Sequence, residues 1–409
     1  MNSTKDRTVL RDLARRVAEV AALPVMAERK MAWKQHNALR RPRPMILVFP
    51  EGAWQELVPD SALQCASSKA RPMERDLRQR LYAHEHFDSD NVVEAEWDVY
   101  RAIRNSGWGL EEHWTHSPDA RGARKFDPVI REPADLKKLR FPEVTVDEAV
   151  TRQSLAEAQD LFGDLLQVRL RGIAHLSFHL MNQYTALRGL EEVMLDMYEN
   201  PGMLHDAMAF FEEGHRRLVD QYCQLNLFTL NNDSTYHSSG GVGYTDELPA
   251  PGFDPARVRP CDLWASAEAQ EMALVSPEMH AEFILAYEKR LLAPFGLNGY
   301  GCCEDLTRKL DDVLTIPNIR RISISPWADV ALCAAKLRGK AIVSWKPQPA
   351  MLVGAFNPGA VREYLRHALE ATQGCAVEMI LKDTHTCENH PERFDQWCRI
   401  ARELALAYT

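Results

Sequence analysis

The sequence lacks the marks of several large protein classes. No stretch approaches the 18 consecutive apolar residues of a membrane-spanning helix. The first residues, MNSTKDRTVLRDLARR, carry charge where a secretory leader has its apolar run, so the chain is expected in the cytoplasm, with no membrane partner. Basic residues are in deficit: 49 Lys plus Arg against 58 Asp plus Glu leave a net charge of −9, which repels a phosphate backbone and argues against nucleic acid. GxGxxG and GxxxxGK turns are missing, and with them the usual dinucleotide and nucleotide sites. HExxH is missing too, because His175 and His179 are four apart without the intervening Glu, so a metalloprotease is excluded. Nine cysteines form no CxxC pair, and in the cytoplasm they read as thiols or metal ligands rather than a disulfide framework.

What remains is an ordinary globular composition, 45% hydrophobic and 26% charged, able to bury a large core. Residues 8 to 40 read as amphipathic helix broken near Pro24, followed by a buried strand, Met45 to Phe49. Residues 60 to 160 mix charged helices with aromatic turns and are expected to form a cap or insertions. Beyond them, strand candidates at Leu165 to Leu170, Leu225 to Leu230, near 294 to 299, RRISIS, AIVSW and AVEMIL alternate with helices, two of which start at Pro277 and Pro358. This alternation predicts parallel strands with crossover helices, in one α/β domain spanning 1 to 409. A (β/α)8 TIM barrel with an elaborated helical region in 1 to 150 is the expected form.

Polar residues gather just after the strand candidates, which in a parallel sheet crowd one end. NNDSTYHSSGGVGYTDELPAPG offers Asp233, His237, Asp246 and Glu247; GYGCCEDL offers Cys302, Cys303 and Glu304; KDTHTC offers His385 and Cys387. A strand end leading into a helix favours the thiolate at Cys302, and strand geometry would point His385 and Cys387 the same way. Two thiolates with N or O ligands match a zinc site with an open position, and core thiols beside a polar loop match the same spacing equally well. Asp233 and Glu247 are candidate general acids or bases. His175, His237, Asp246 and Trp327 are candidate substrate contacts, and His179 reads as structural. Among the many aromatics, Trp54, Trp97, Trp108, Trp114, Tyr236, Tyr244 and Trp345 stand near the possible mouth, where a subset would suit a methoxy-aromatic or a methylated cation.

The segments RLRGIAHLSFHL, GLEEVMLDMYENPGMLHDAM, NNDSTY, GYGCCEDL, SPWADVALCAAKLRGKAIVSW and EMILKDTHTC, in that order, resemble the uroporphyrinogen decarboxylase-like superfamily. Within it the pattern is most like the zinc-dependent methyltransferases that serve corrinoid and thiol acceptors. The resemblance covers roughly residues 160 to 409. It implies a (β/α)8 barrel, a plausible homodimer, and zinc held by Cys302 and Cys387. The family's HxCG histidine falls on Tyr300, which is carried as a catalytic candidate rather than a ligand; Glu304, His385, His237 or Cys303 would complete the metal set. The decarboxylase's RQAGRY segment is replaced by ILVFPEGAW, so that activity is not expected. No DxHxxG corrinoid motif occurs, so a corrinoid would come on a separate partner protein. The implied function is methyl transfer from a small methoxy or methylamine-type compound to a corrinoid or thiol. A metal-free lyase or decarboxylase on a carboxylated ring, or a non-catalytic corrinoid- or tetrapyrrole-binding barrel, are the alternatives.

Overall fold

The structure is a computed structural model that describes residues 4–116, 124–237 and 240–408. Its centre is a seven-stranded, all-parallel sheet: β1 (Met45–Val48), β2 (Ser177–Phe178), β3 (Trp264–Ala267), β4 (Leu297–Tyr300), β5 (Ile319–Ile324), β6 (Ile342–Trp345) and β7 (Val377–Leu381), in the spatial order β1-β7-β6-β5-β4-β3-β2. Helices join successive strands, as parallel pairing requires. Ser276, Asp329 and Asn357 each cap one of these helices with a side-chain oxygen, and Pro277 and Pro358 occupy first-turn positions where no N–H is needed.

The strand candidates at Met45, 294–299, RRISIS, AIVSW and AVEMIL are all found in this sheet. Two others differ. Gln167–Arg171 pairs with Glu96–Tyr100 in a separate parallel ladder, and the Leu225–Leu230 run is an irregular segment in which Phe228 makes a single parallel bridge to Ile173. The short strands β2 and β3, SF and WASA, were not anticipated, because Ser and Ala carry little strand signal.

Among the described residues the ladder has two edges, β1 and β2, so the expected closed barrel is observed only as an α/β parallel sheet. Near these edges Asp90 N donates to Ile46 O of β1 at 2.7 Å, and Ile173 exchanges bonds with the following segment, Ile173 N to Leu227 O at 2.7 Å and Thr229 N to Ile173 O at 3.0 Å; neither contact joins β1 to β2.

Alternation along the strands sorts side chains to two faces. Ile46, Val48, Ala265, Ala267, Tyr300, Ile322, Ile324, Val343, Trp345, Val377, Met379 and Leu381 belong to the main core under the helices. The opposite parity carries Ser266, Arg321, Ser323, Ser344 and Glu378, all buried. There Arg321 Nε lies 2.9 Å from Glu378 Oε1, and His36 Nε2 lies 3.2 Å from Glu378 Oε2. Burial opposes ionisation of Glu378, but Arg321 and His36 outweigh it and hold the carboxyl at about 2. Gly240 and Gly241 allow their backbone to lie against this pair. A Cβ on Gly240 would fall 1.9 Å from Arg321 Cδ, and one on Gly241 2.4 Å from Glu378 Oε2.

The amino-terminal region builds a second core. Leu10, Leu13, Ala14 and Val17 line one face of the helix Thr4–Ala21 and pack with Leu77 and Leu81 of Ala70–His86 and with the two-stranded ladder. Among the described residues no helix is long and apolar enough to cross a membrane. Among the described residues no disulfide joins any of the nine cysteines.

Candidate functional site

The parity that makes one sheet face polar continues past the strand ends. Glu268 follows β3, Ser325 follows β5, Lys346 follows β6 and Lys382 follows β7, each two residues beyond a polar-face position or in register with one. Cys302 and Glu304 follow β4, and His179 follows β2. These groups form one constellation.

His179 Nδ1 is hydrogen-bonded to Glu268 Oε1, and Gln270 N donates to Glu268 Oε2 at 3.0 Å. Burial alone would lower the imidazole, but the bond and charge of Glu268 prevail and raise it. Glu304 is buried; Cys302 N donates to its Oε2 at 2.8 Å, and Ala269 N to Oε1 at 3.4 Å. Burial, with the charge of Glu268 behind it, lifts its carboxyl to about 7. Lys346 Nζ donates to Ser344 O and Oγ, both at 2.8 Å, and burial brings its ammonium down to about 7. Cys302 is half-buried, its Sγ 3.5 Å from that of exposed Cys303, and it lies within electrostatic reach of His179, Tyr236, Lys346 and Lys382. Perturbed acids and bases around a thiol at the strand ends are the arrangement a proton-handling active site needs.

Two cavities lie along the two-stranded ladder, and neither is bordered by His179, Glu268, Cys302, Glu304, Lys346 or Lys382. One, of about 420 Å³, opens beside the carboxyl end of β1 and is bordered by Phe49, Trp54, Glu94, Glu96, Tyr236 and Tyr244. The other, of about 410 Å³, is bordered by Arg171, His175 and Thr235; Tyr236, Ser234 and Asp98 border both.

Several sequence candidates are placed elsewhere. Tyr300 lies on the helix-facing parity, fully buried, with its hydroxyl donating to Glu288 Oε2 and bonded to His280 Nε2, both at 2.9 Å, so it does not reach the strand-end constellation. Glu247 makes a two-point ion pair with Arg320 near the start of β5, and Asp246 is an exposed partner of Lys34 at 2.7 Å. His237 is buried, stacked on Trp264 and bonded through Nε2 to Asn231 O at 2.9 Å, with burial bringing it down to about 3. Trp327 is 69% exposed. Asp233 is tied to Arg171 at 2.5 Å and accepts from Thr235 N at 2.9 Å, an anchored carboxylate rather than an acid. His175 does line a cavity, with Nδ1 3.2 Å from Tyr236 O.

The four metal candidates are not brought together as a ligand set. No helix begins at Cys302, since the next one is the short Leu310–Val313. β7 ends at Leu381, so His385, exposed, and Cys387, buried, sit in a loop rather than on a shared strand face. Cys387 Sγ donates to Glu56 Oε2 at 3.0 Å, and its thiol is pushed up to about 11, first by burial and then by that carboxylate. Glu304 faces two backbone donors. Among the described residues no three His, Cys, Asp or Glu converge in a metal-holding group. As arranged, these side chains do not fit zinc, and no chemical step is assigned to it.

His179, set aside in the sequence as structural, is central, and Glu268, Lys346 and Lys382 were missed. Their signal was the alternation in WASAE and SWK, polar at every second position, and in EMILK, where Glu378 and Lys382 share one parity with apolar Ile380 between them.

No family model matches the chain, and no curated protein matches it. Among solved structures, a methyltransferase from Methanosarcina mazei is similar at 11% identity with a TM-score of 0.37, over 64% of this chain and 72% of that one. A likeness that slight carries no weight for fold or function.

Proposed function

We propose that the protein is an enzyme of the methyltransferase type, moving a methyl group from a small methylated donor to a thiol or corrinoid acceptor at the carboxyl ends of its parallel strands. The observation that supports this is the buried Glu304 carboxyl, held at about 7 by burial and Glu268 and placed beside the half-buried Cys302. A group balanced between its two protonation states at neutral pH is suited to general acid–base work. With a thiol acceptor, sulfur attacks the methyl carbon while its proton passes to Glu304 or His179. The bond from methyl carbon to oxygen or nitrogen breaks with both electrons going to the leaving atom. An alkoxide then takes the proton from Glu304; an amine leaving from an ammonium needs none. Lys346 and Lys382 stabilise the anionic sulfur. A corrinoid acceptor would arrive on a separate protein.

The carboxylate-binding alternative is less favoured, because Arg169 and Arg171 are already paired with Asp98, Glu96 and Asp233. The test is incubation with deuteromethyl-labelled methoxybenzoate, methylamine or choline, with 2-mercaptoethanol or cob(I)alamin as acceptor, read by mass spectrometry. Labelled methyl thioether or methylcobalamin formed by the parent, and lost in C302S and E304Q, is expected. Absence of transfer for every pair would overturn the reading.

A further inference from the structure

Resting on that reading, we propose that the 420 Å³ cavity beside β1 is a binding site for a small organic ammonium cation, seated against the rings of Tyr236, Phe49, Trp54 and Tyr244 and countered by the Glu94 and Glu96 carboxyls.

Three independent features lead there. First, the wall is aromatic. Phe49 and Tyr236 pack with ring centroids 4.7 Å apart, Trp54 borders the same space, and Tyr244 already has the Lys30 ammonium 6.0 Å from its ring centroid. Aromatic faces attract cations through their quadrupole, most strongly when the cation is desolvated.

Second, the charge of the wall leaves one acid over. Asp76, Glu94, Glu96 and Asp98 border the cavity against only Arg80 and Arg169. Asp76 pairs with Arg80 at 2.8 Å, and Glu94 with Lys30 at 2.7 Å. Glu96 and Asp98 both pair with Arg169, at 2.6 Å and 2.8 Å, and the nearby Arg171, 3.7 Å from Asp98, is itself held by Asp233 at 2.5 Å. Glu96 is consequently raised to about 7, first by burial and then by the charge of Glu94. The other charged groups facing it, Arg169 and Asp233, pull in opposite directions. An ammonium in the cavity supplies the missing positive charge and lets Glu96 ionise, so binding at neutral pH releases a proton.

Third, the Tyr236 hydroxyl is buried on the border of both cavities and has no hydrogen-bond partner among the described residues. A buried hydroxyl left unpaired is costly, and a ligand with a hydroxyl or carboxylate beside its ammonium head would satisfy it. The volume falls within the ordinary range for small-molecule sites, about 300–1,000 Å³.

The experiment is isothermal titration calorimetry with choline and with its neutral isostere 3,3-dimethylbutan-1-ol, at pH 7 in two buffers of different ionisation enthalpy. Choline is expected to bind at least tenfold more tightly than the isostere and to release protons. E96Q should abolish the proton release and narrow the preference for the cation; Y236L should weaken both ligands. Should E96Q fail to fold, W54L tests the same wall from the other side. Equal affinity for the two ligands, or no choline binding at millimolar concentration, would overturn the inference. Choline binding without any methyl transfer would leave this site standing and remove the methyltransferase reading. Transfer from methoxybenzoate alone, with no choline binding, would do the reverse.

Discussion

Replacing Glu304 by Gln should make the protein more stable at alkaline pH while removing its activity. In the parent the carboxyl is lifted from the ordinary 4.5 to about 7, first by burial and then by Glu268. The sign follows from proton linkage: the folded chain holds this proton more tightly, so the advantage is fully present below pH 4.5 and is lost as pH rises through 7. Complete ionisation costs the folded state about 3 kcal/mol, most of which develops between roughly pH 5 and pH 8. Gln is neutral throughout and escapes this cost. It presents one acceptor oxygen where Glu304 presents two, so one of the bonds from Cys302 N and Ala269 N is lost, an offset of about 1 kcal/mol that does not change with pH. Urea unfolding of parent and E304Q, followed by tryptophan fluorescence from pH 5 to 8, isolates the difference, because all other titrating groups are common to both. Relative to parent, E304Q should gain about 2 to 3 kcal/mol across that range. A difference constant to within about 0.5 kcal/mol would refute the reasoning, since it would mean that Glu304 is already ionised at pH 5.

Y300F removes the hydroxyl shared by His280 and Glu288, and should lose about 1–3 kcal/mol in urea unfolding with kcat and KM retained; a folded but inactive Y300F would return Tyr300 to the site. G240A forces a Cβ to 1.9 Å from Arg321 Cδ, so a melting temperature lowered by several degrees is expected by circular dichroism, and an unchanged melting curve would show that the Gly240 backbone does not lie against the Arg321–Glu378 pair. Elemental analysis of protein purified without chelator, alongside C302S and C387S, checks the ligand geometry. Any metal bound by the parent should survive in C387S, because the Cys387 thiol of the parent is committed to Glu56, and one zinc per chain lost in both variants would show that the loop rearranges to bind it.

Sequence alone determined the α/β class, five of the seven strands of the sheet and the helix starts at Pro277 and Pro358, because apolar runs and the Pro and Ser or Asn signals at helix starts depend only on local chemistry, whereas the helix expected at Cys302 did not form. It also placed chemistry after the strands, which follows from parallel connectivity without knowledge of any neighbour. Which of those residues meet was decided by tertiary structure. A one-residue change of parity sends Tyr300 to the helices and keeps Glu268 and Lys346 on the polar face, and parity is unreadable until the strand limits are known. Cys387 looked like a partner for Cys302 because both follow strands; the chain beyond Leu381 loops instead, and Glu56, 331 positions away, takes its thiol. His179 seemed structural until the unheralded strand WASA brought Glu268 to it. The pocket wall needs still longer reach: Phe49, Glu96 and Tyr236 border one cavity only because the sheet edge, the two-stranded ladder and the segment after Phe228 converge there, and burial at that junction, rather than residue type, turns Glu96 into an acid that titrates near neutrality.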